Sequence, residues 1–291
     1  MQKIIPHLWF DKDAVEAAKF YSHAIPGSRV TGQYVLKDTP SGDVDVVFLS
    51  LGGYQIQLLG AGREFRVNPS LSFVLYAETV AEVDALYAAL KEGGSELMPL
   101  DSYPFSERYV WLQDKYDVSW QILFRPDRPQ GVRIAPAQMF VGPNAGKAAE
   151  AIAFYTGLFG GETLGVSRYG AGWEPNEPGF INHATFRLQG QTFAIMDSAY
   201  PHEFAFGEAM SYIVNCDSQA EIDQYWNALS ADPGAEMCGW CKDKYGFSWQ
   251  IIPHDLETLM TDPAKAPRIT AAFMKMKKLD WDVLHAAAEG R

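Results

Sequence analysis

Apolar and polar positions alternate along Val118–Leu123, so Val118, Trp120 and Ile122 share one face while Ser119, Gln121 and Leu123 share the other. The same reading places elements along the rest of the N-terminal part of the chain. A short apolar strand, Ile4–Phe10, precedes a helix whose Ala14, Ala17, Ala18 and Tyr21 fall at helical spacing. Strands follow near Arg29–Lys37, Val44–Leu51 and Gln55–Leu59, the last two joined by Gly52-Gly53, a natural tight hairpin. A fifth strand, Leu71–Tyr76, leads to a helix over Val80–Glu92 that Gly93-Gly94 can cap. Further strands near Ser106–Leu112 and Val118–Leu123 end the module, and the order is read as βαβββ followed by βαβββ, seven of whose eight strands are placed. Two helices among many strands argue for an α+β fold.

That pattern is then written again. Asp114–Ile122 reads DKYDVSWQI and Asp243–Ile251 reads DKYGFSWQI, 129 residues later, each with a tryptophan (Trp111, Trp240) three residues ahead. Lys3–Phe10 answers Arg133–Phe140, Ala14–Tyr21 answers Ala148–Tyr155, and Glu82–Leu90 answers Glu221–Leu229. So long a period indicates a duplicated domain, not a solenoid. The division expected is a first module over 1–126, a second over 132–254 and a C-terminal extension over 255–291, with a Pro-rich join at 125–131. In the extension, Leu256–Met260, Ile269–Leu279 and Trp281–Ala288 read as helices, with Ala272, Met276 and Leu279 as a packing stripe.

Charge narrows the partners. The 24 Lys plus Arg against 36 Asp plus Glu give a formal charge of −12. Such a surface disfavours nucleic acid and anionic membranes, and leaves neutral or cationic small molecules open. No apolar run is long enough to span a bilayer and no signal-like start is present, so the expected location is cytoplasmic. The three cysteines, Cys216, Cys238 and Cys241, are too few for a disulfide framework. Cys238-Gly-Trp-Cys241 leads into a strand and turn, with no second such pair to complete a zinc set, so packed thiols are expected.

The duplicated βαβββ units and the Phe-Tyr pair closing each first helix resemble the vicinal oxygen chelate (glyoxalase/bleomycin-resistance) superfamily. His183-Ala-Thr-Phe-Arg-Leu188, Met210–Cys216, Gln219–Trp226 and the Asp243–Ile251 motif are similar to its PhnB-like branch, whose members are often named 3-demethylubiquinone-9 3-methyltransferase-like. The resemblance implies tandem glyoxalase-like modules of paired βαβββ units, each an incomplete barrel. It also implies that the module pairing usual between subunits can occur within one chain, with a homodimer still open. It lends little support to methyl transfer, because no strand here leads into the Gly-rich turn of a doubly wound cofactor-binding sheet.

In metal-dependent relatives the eighth motif position is a glutamate that holds a divalent cation. Here it is Gln121 and Gln250, neutral amides that lack the charge suited to such an ion. The companion histidine of those relatives lies on the first strand. His7 is on that strand, sharing a face with Ile5 and Trp9, although counting back from Phe20-Tyr21 puts the ligand position nearer Ile5 or Pro6. Gln138 is taken as the second-copy counterpart of His7, and Ser72 and Ser211 stand where a further histidine is expected. His183 with Asp197 reads as a pair across a hairpin, serving either a structural bond or the site. The concave faces, lined by Trp9, Trp111, Gln121, Gln138, Trp240 and Gln250, are expected to take an uncharged polar small molecule, since amides both donate and accept. The function expected is small-molecule binding with no cofactor and no catalytic metal. The other class is a metal-dependent lyase, isomerase or dioxygenase of the same superfamily.

Overall fold

The computed structural model describes residues 2–127 and 133–291; of the Pro-rich join, positions 128–131 lie outside the described residues. The first repeat contributes β1 (Ile4–Phe10), α1 (Ala14–Ala24), β2 (Arg29–Thr39), β3 (Gly42–Leu51) and β4 (Tyr54–Gly60). It continues with β5 (Leu71–Ala77), α2 (Val80–Leu90), β6 (Ser95–Tyr103), β7 (Ser106–Gln113) and β8 (Ser119–Phe124). The second contributes β9 (Ile134–Val141), α3 (Ala148–Phe159), β10 (Gly161–Arg168), β11 (Ile181–Leu188) and β12 (Gln191–Ser198). There follow β13 (Met210–Cys216), α4 (Gln219–Leu229), β14 (Trp240–Lys242) and β15 (Ser248–Pro253). The extension forms α5 (Leu256–Met260), α6 (Ala266–Phe273) and α7 (Trp281–Glu289). The mixed α+β architecture, the tandem modules and the C-terminal helices are all present.

The chain folds into two compact units, each drawing on both repeats. Unit 1 comprises Met1–Ser22, Ser28–Arg66 and Phe206–Arg291; unit 2 comprises His23–Gly27 and Val67–Ala205. Unit 1 holds a seven-stranded sheet, ordered β14-β15-β13-β1-β4-β3-β2. Its centre is the antiparallel pair β1/β13, flanked by the parallel pairs β1/β4 and β13/β15. Unit 2 holds an eight-stranded sheet, ordered β10-β11-β12-β9-β5-β8-β7-β6, with the same plan around the antiparallel pair β5/β9. The central strand pair of each sheet thus joins one repeat to the other.

Strand alternation gives each sheet two faces. One is packed by helices: in unit 2, α3 and α2 lie on the side of Phe186, Phe193, Phe140, Phe73 and Trp120. The other carries the amides and tryptophans of interest. Three elements depart from the expectation, the first being the helix read over Ile269–Leu279, which instead spans Ala266–Phe273. β6 was not visible in the pattern, because Ser95–Tyr103 is an exposed edge strand interrupted by Pro99, a residue an edge tolerates. The second repeat has no counterpart to it: between α4 and β14 there is only a short 3-10 turn, Pro233–Ala235. Among the described residues no helix is long and apolar enough to cross a membrane.

Candidate ligand site

The repeated nonapeptide does two jobs, one on each face. Asp114 opens a turn in which its Oδ1 accepts from the amides of Tyr116 (2.8 Å) and Val118 (3.2 Å), while its Oδ2 accepts from the indole of Trp120 at 2.8 Å. Asp243 repeats this with Tyr245 (2.9 Å), Phe247 (3.1 Å) and Trp249 (2.8 Å). The turn requires a left-handed residue, met by Asp117 (φ 63°) and Gly246 (φ 79°). With Trp120 and Trp249 anchored on the helix side, the adjacent Ser and Gln are fixed on the opposite face.

In unit 2 that face is assembled as follows. Gln121 donates from Nε2 to Ser72 Oγ (2.8 Å) and accepts at Oε1 from the Tyr109 hydroxyl (3.0 Å). Trp111 donates its indole N–H to Ser119 Oγ at 2.7 Å. Beside them lies a floor of small side chains, Ala135, Ala137 and Ala194, buried together with Val74, Tyr76 and Leu123. Met98, Tyr103, Trp111 and Met196 pack against this floor. Burial raises the Tyr109 phenol and pushes Tyr76 up to about 12, so both stay protonated as donors. Across β12, β9, β5 and β8 this face carries no charged side chain.

In unit 1 the matching face holds Gln250, whose Nε2 donates to Ser211 Oγ at 3.0 Å, and His7, whose Nδ1 lies 3.3 Å from the same hydroxyl. The Trp240 indole meets the His7 imidazole edge-on at 5.3 Å. Burial lowers the His7 pKa to about 3, so the ring is neutral. Trp9 shares this face, and its indole N–H is held by the Gly62 carbonyl at 2.7 Å.

The structure therefore divides the sequence-expected residues. His7, Trp9, Trp240 and Gln250 gather in unit 1; Trp111 and Gln121 gather in unit 2. Gln138 does not join Gln121. It pairs with Leu71 and Ile195 and shares the parity of Phe140, which puts it on the helix side of the sheet. The residue in the His7 position is Ala137, opposite Ser72 as His7 is opposite Ser211. His183 and Asp197 also separate. His183 follows the parity of Thr185 and faces the amide side, whereas Asp197 follows that of Ile195. The Asp197 carboxylate is occupied by the amides of Gly146 (2.8 Å), Ala148 (3.1 Å) and Ile181 (2.8 Å), a role in starting α3 and β11. Burial, with Arg125 nearby, lowers the His183 pKa.

Tyr109, Tyr76, Met98 and Met196 escaped the sequence reading: alternation from Trp111 reaches Tyr109, whereas only the strand pairings bring Tyr76, Met98 and Met196 to the same face. Ser198 also belongs there and contacts His202 Nε2 at 2.7 Å. Cys216 and Cys241 are buried, which pushes both thiols up to about 12, and burial raises Cys238 as well. Thiols so shifted are poor nucleophiles.

The divalent cation of the metal-dependent relatives that the sequence resembles does not fit these residues. Among the described residues no group of three or more His, Cys, Asp or Glu could hold a metal ion. The cation positions carry His7, Ser211 and Gln250 in unit 1 and Ala137, Ser72 and Gln121 in unit 2. The amides there are directed at the hydroxyls.

Mixed sheets built from paired βαβββ-type units across a tandem repeat define a glyoxalase-like class of fold. Within it, the chain belongs to the family described as 3-demethylubiquinone-9 3-methyltransferase, whose model matches residues 2–123 and again 133–252. A candidate 3-demethylubiquinone-9 3-methyltransferase from Bacillus cereus, a PhnB protein, is 31% identical over 43% of this chain and 100% of its own, with a TM-score of 0.40. Glyoxalase I from Zea mays is 12% identical, covering 89% of this chain and 97% of that one at a TM-score of 0.56. A candidate dioxygenase from Bacillus subtilis is 12% identical over 86% of each chain, with a TM-score of 0.51. The last two likenesses concern the fold alone. No functionally curated protein matches the chain.

Proposed function

We propose that the chain is a small-molecule binding protein that works without a resident catalytic metal, and that its ligand site is the amide-bearing face of the unit 2 sheet. The observation that carries this reading is Gln121, held between Tyr109 and Ser72 at the edge of the three-alanine floor. Each amide atom there has spent one hydrogen-bonding capacity and keeps another, so Gln121 can still donate once and accept once. Small floor residues leave depth for a ligand, and aromatic and thioether walls offer polarisable contact. The absence of formal charge on the central strands suits an uncharged ligand.

The metal-dependent lyase, isomerase or dioxygenase reading needs a set of ionic or imidazole ligands, and among the described residues no three such groups come together. The methyl transfer in the family's description needs a nucleotide-type cofactor cradle. The first strand-to-helix turn here is Asp11-Lys-Asp13, without the glycines that let a backbone approach such a cofactor.

A thermal-shift screen of neutral aromatic metabolites and drugs tests the proposal. Stabilising compounds should lose affinity on Gln121→Leu or Ala194→Phe. A screen without a single wild-type hit, or hits indifferent to both substitutions, counts against it.

A further inference from the structure

We infer that the C-terminal segment replaces, in unit 1, the strand that β6 supplies in unit 2, and that the full chain therefore offers one open ligand face, not two. In unit 2, β7 is flanked by β6, with Met98 opposite Trp111 and Asp101 opposite Tyr109. Aligned on the two tryptophans, Tyr109–Trp111 corresponds to Cys238–Trp240. β15 lies on the inner side of that stretch, but its outer edge has no strand from its own repeat. Its amides instead donate to the C-terminal segment: Cys238 N to Met276 O at 2.8 Å, and Gly239 N to Lys277 O at 2.7 Å.

The approach is close. A Cβ on Gly239 would lie 3.2 Å from the Leu279 side chain, and Cys238 Sγ lies 3.7 Å from Met274 Sδ. Beyond this contact Met260, Ile269, Leu279 and Leu284 form a buried cluster packed against Tyr34, Leu36 and Ile252. Those three strand residues have the parity of His7, Ser211 and Gln250, so the segment lies on the amide-bearing face. Lys278–Asp223 (2.5 Å) and Lys277–Glu236 (3.0 Å) tie its edge to unit 1.

The two faces are thus covered by different means. In unit 2 the packed cluster draws only on strands of its own sheet, and Met98 and Met196 can turn aside through rotamer changes. In unit 1 a segment with its own backbone hydrogen bonds and core would have to leave. Local opening of such a segment costs a sizeable part of the unit's stability.

The inference rests on the binding reading, and Nile red, a neutral fluorescent dye, can separate the two. Wild-type chain is expected to bind one equivalent, lost in Ala194→Phe. Two equivalents in the wild type would overturn the inference and leave the binding reading standing. No dye binding would remove the support of this arm from both, and the covering role of the segment is then decided at Cys238. Its thiol, shielded by Met274, should react slowly with a disulfide reagent in the wild type. In Leu284→Asp, which puts a carboxylate into the C-terminal cluster, it should react on the order of tenfold faster. Arg268→Ala, which removes bonds to the Ala287 and Ala288 carbonyls, gives a milder variant should Leu284→Asp fail to fold. Equal rates in the wild type and both variants sink the inference whatever the dye does.

Discussion

The Asp114 carboxylate accepts the indole N–H of Trp120 at 2.8 Å, and Asp243 accepts that of Trp249 at the same distance. This pairing explains why the nonapeptide recurs almost unchanged. A single carboxylate closes the turn through two backbone amides and satisfies the one polar atom of a fully buried indole. Three of its residue types are therefore coupled, and the serine and glutamine between them are aimed at the opposite face.

Removing that carboxylate should be costly. Asp114→Ala leaves the Trp120 indole N–H and two turn amides without their acceptor. The expected loss is about 2–4 kcal/mol, as for other buried groups left unsatisfied. Asp127→Ala, at an exposed loop position, should shift stability by less than about 0.5 kcal/mol. Urea unfolding of both variants checks the contrast. An Asp114→Ala loss below about 1 kcal/mol would contradict the role given to this residue.

Much of the fold was legible because its strands are half-buried and alternate, as Val118–Leu123 do. The repeat supplied the rest of the element order. What the pattern could not reveal is which strands meet, since β1 and β9 are both short apolar runs and nothing local states that β1 lies beside β13 and β9 beside β5. Parity was the weaker link at the site. Matching Gln138 to His7 displaced it by one residue, and on a strand one residue is the whole difference between faces. Lys3–Phe10 set directly against Arg133–Phe140 already pairs His7 with Ala137. Tyr109 and Met98 were overlooked because the first lies two residues ahead of the notable Trp111 and the second on an edge strand without strong alternation.

Two glycines of one helix–strand junction should respond in opposite directions. At Gly161 an added Cβ would lie 1.9 Å from the Arg187 carbonyl oxygen, so Gly161→Ala must push apart β10 and β11. A loss above about 2 kcal/mol is expected. Gly157 lies within α3, with nothing near its Cβ position, and Gly157→Ala should stabilise by about 0.5–1 kcal/mol through helix propensity. Thermal melts of the two variants, expected on either side of wild type, check the pair.

Burial of His7 makes stability depend on pH. Its pKa is about 3 in the folded chain against 6.5 for a freely solvated histidine, so between these values the unfolded chain holds more protons. The native state is therefore undisturbed by this group above about pH 6.5 and loses stability as pH falls toward 3. The slope is about 1.4 kcal/mol per pH unit in the middle of that window. His7→Gln should flatten the dependence while keeping a polar partner for Ser211. Denaturant midpoints measured at intervals from about pH 7.5 to about pH 4.5 test this, and parallel curves for the two proteins would falsify it.

The last expectation concerns metal, and the two faces should differ. Protein purified without a polyhistidine tag should carry no stoichiometric Zn, Mn, Fe or Ni by elemental analysis, because the donors at the cation positions of the two faces are neutral amides, hydroxyls and one imidazole. Gln250→Glu would add a carboxylate on the face that already holds His7, both of them directed at Ser211. Two charged or imidazole donors are fewer than the three typical of catalytic zinc, yet enough to raise uptake above wild type. Gln121→Glu has no such neighbour, since Ala137 stands in the His7 position, and it should take up none. It should instead place a carboxylate beside an apolar floor, raising that group's own pKa and lowering stability at neutral pH. A wild-type equivalent of metal that disappears in His7→Ala would make His7 a true ligand and reverse the binding-protein reading. Uptake by the Gln250→Glu chain alone would show that unit 1 keeps the geometry of a cation site and lacks only its charge.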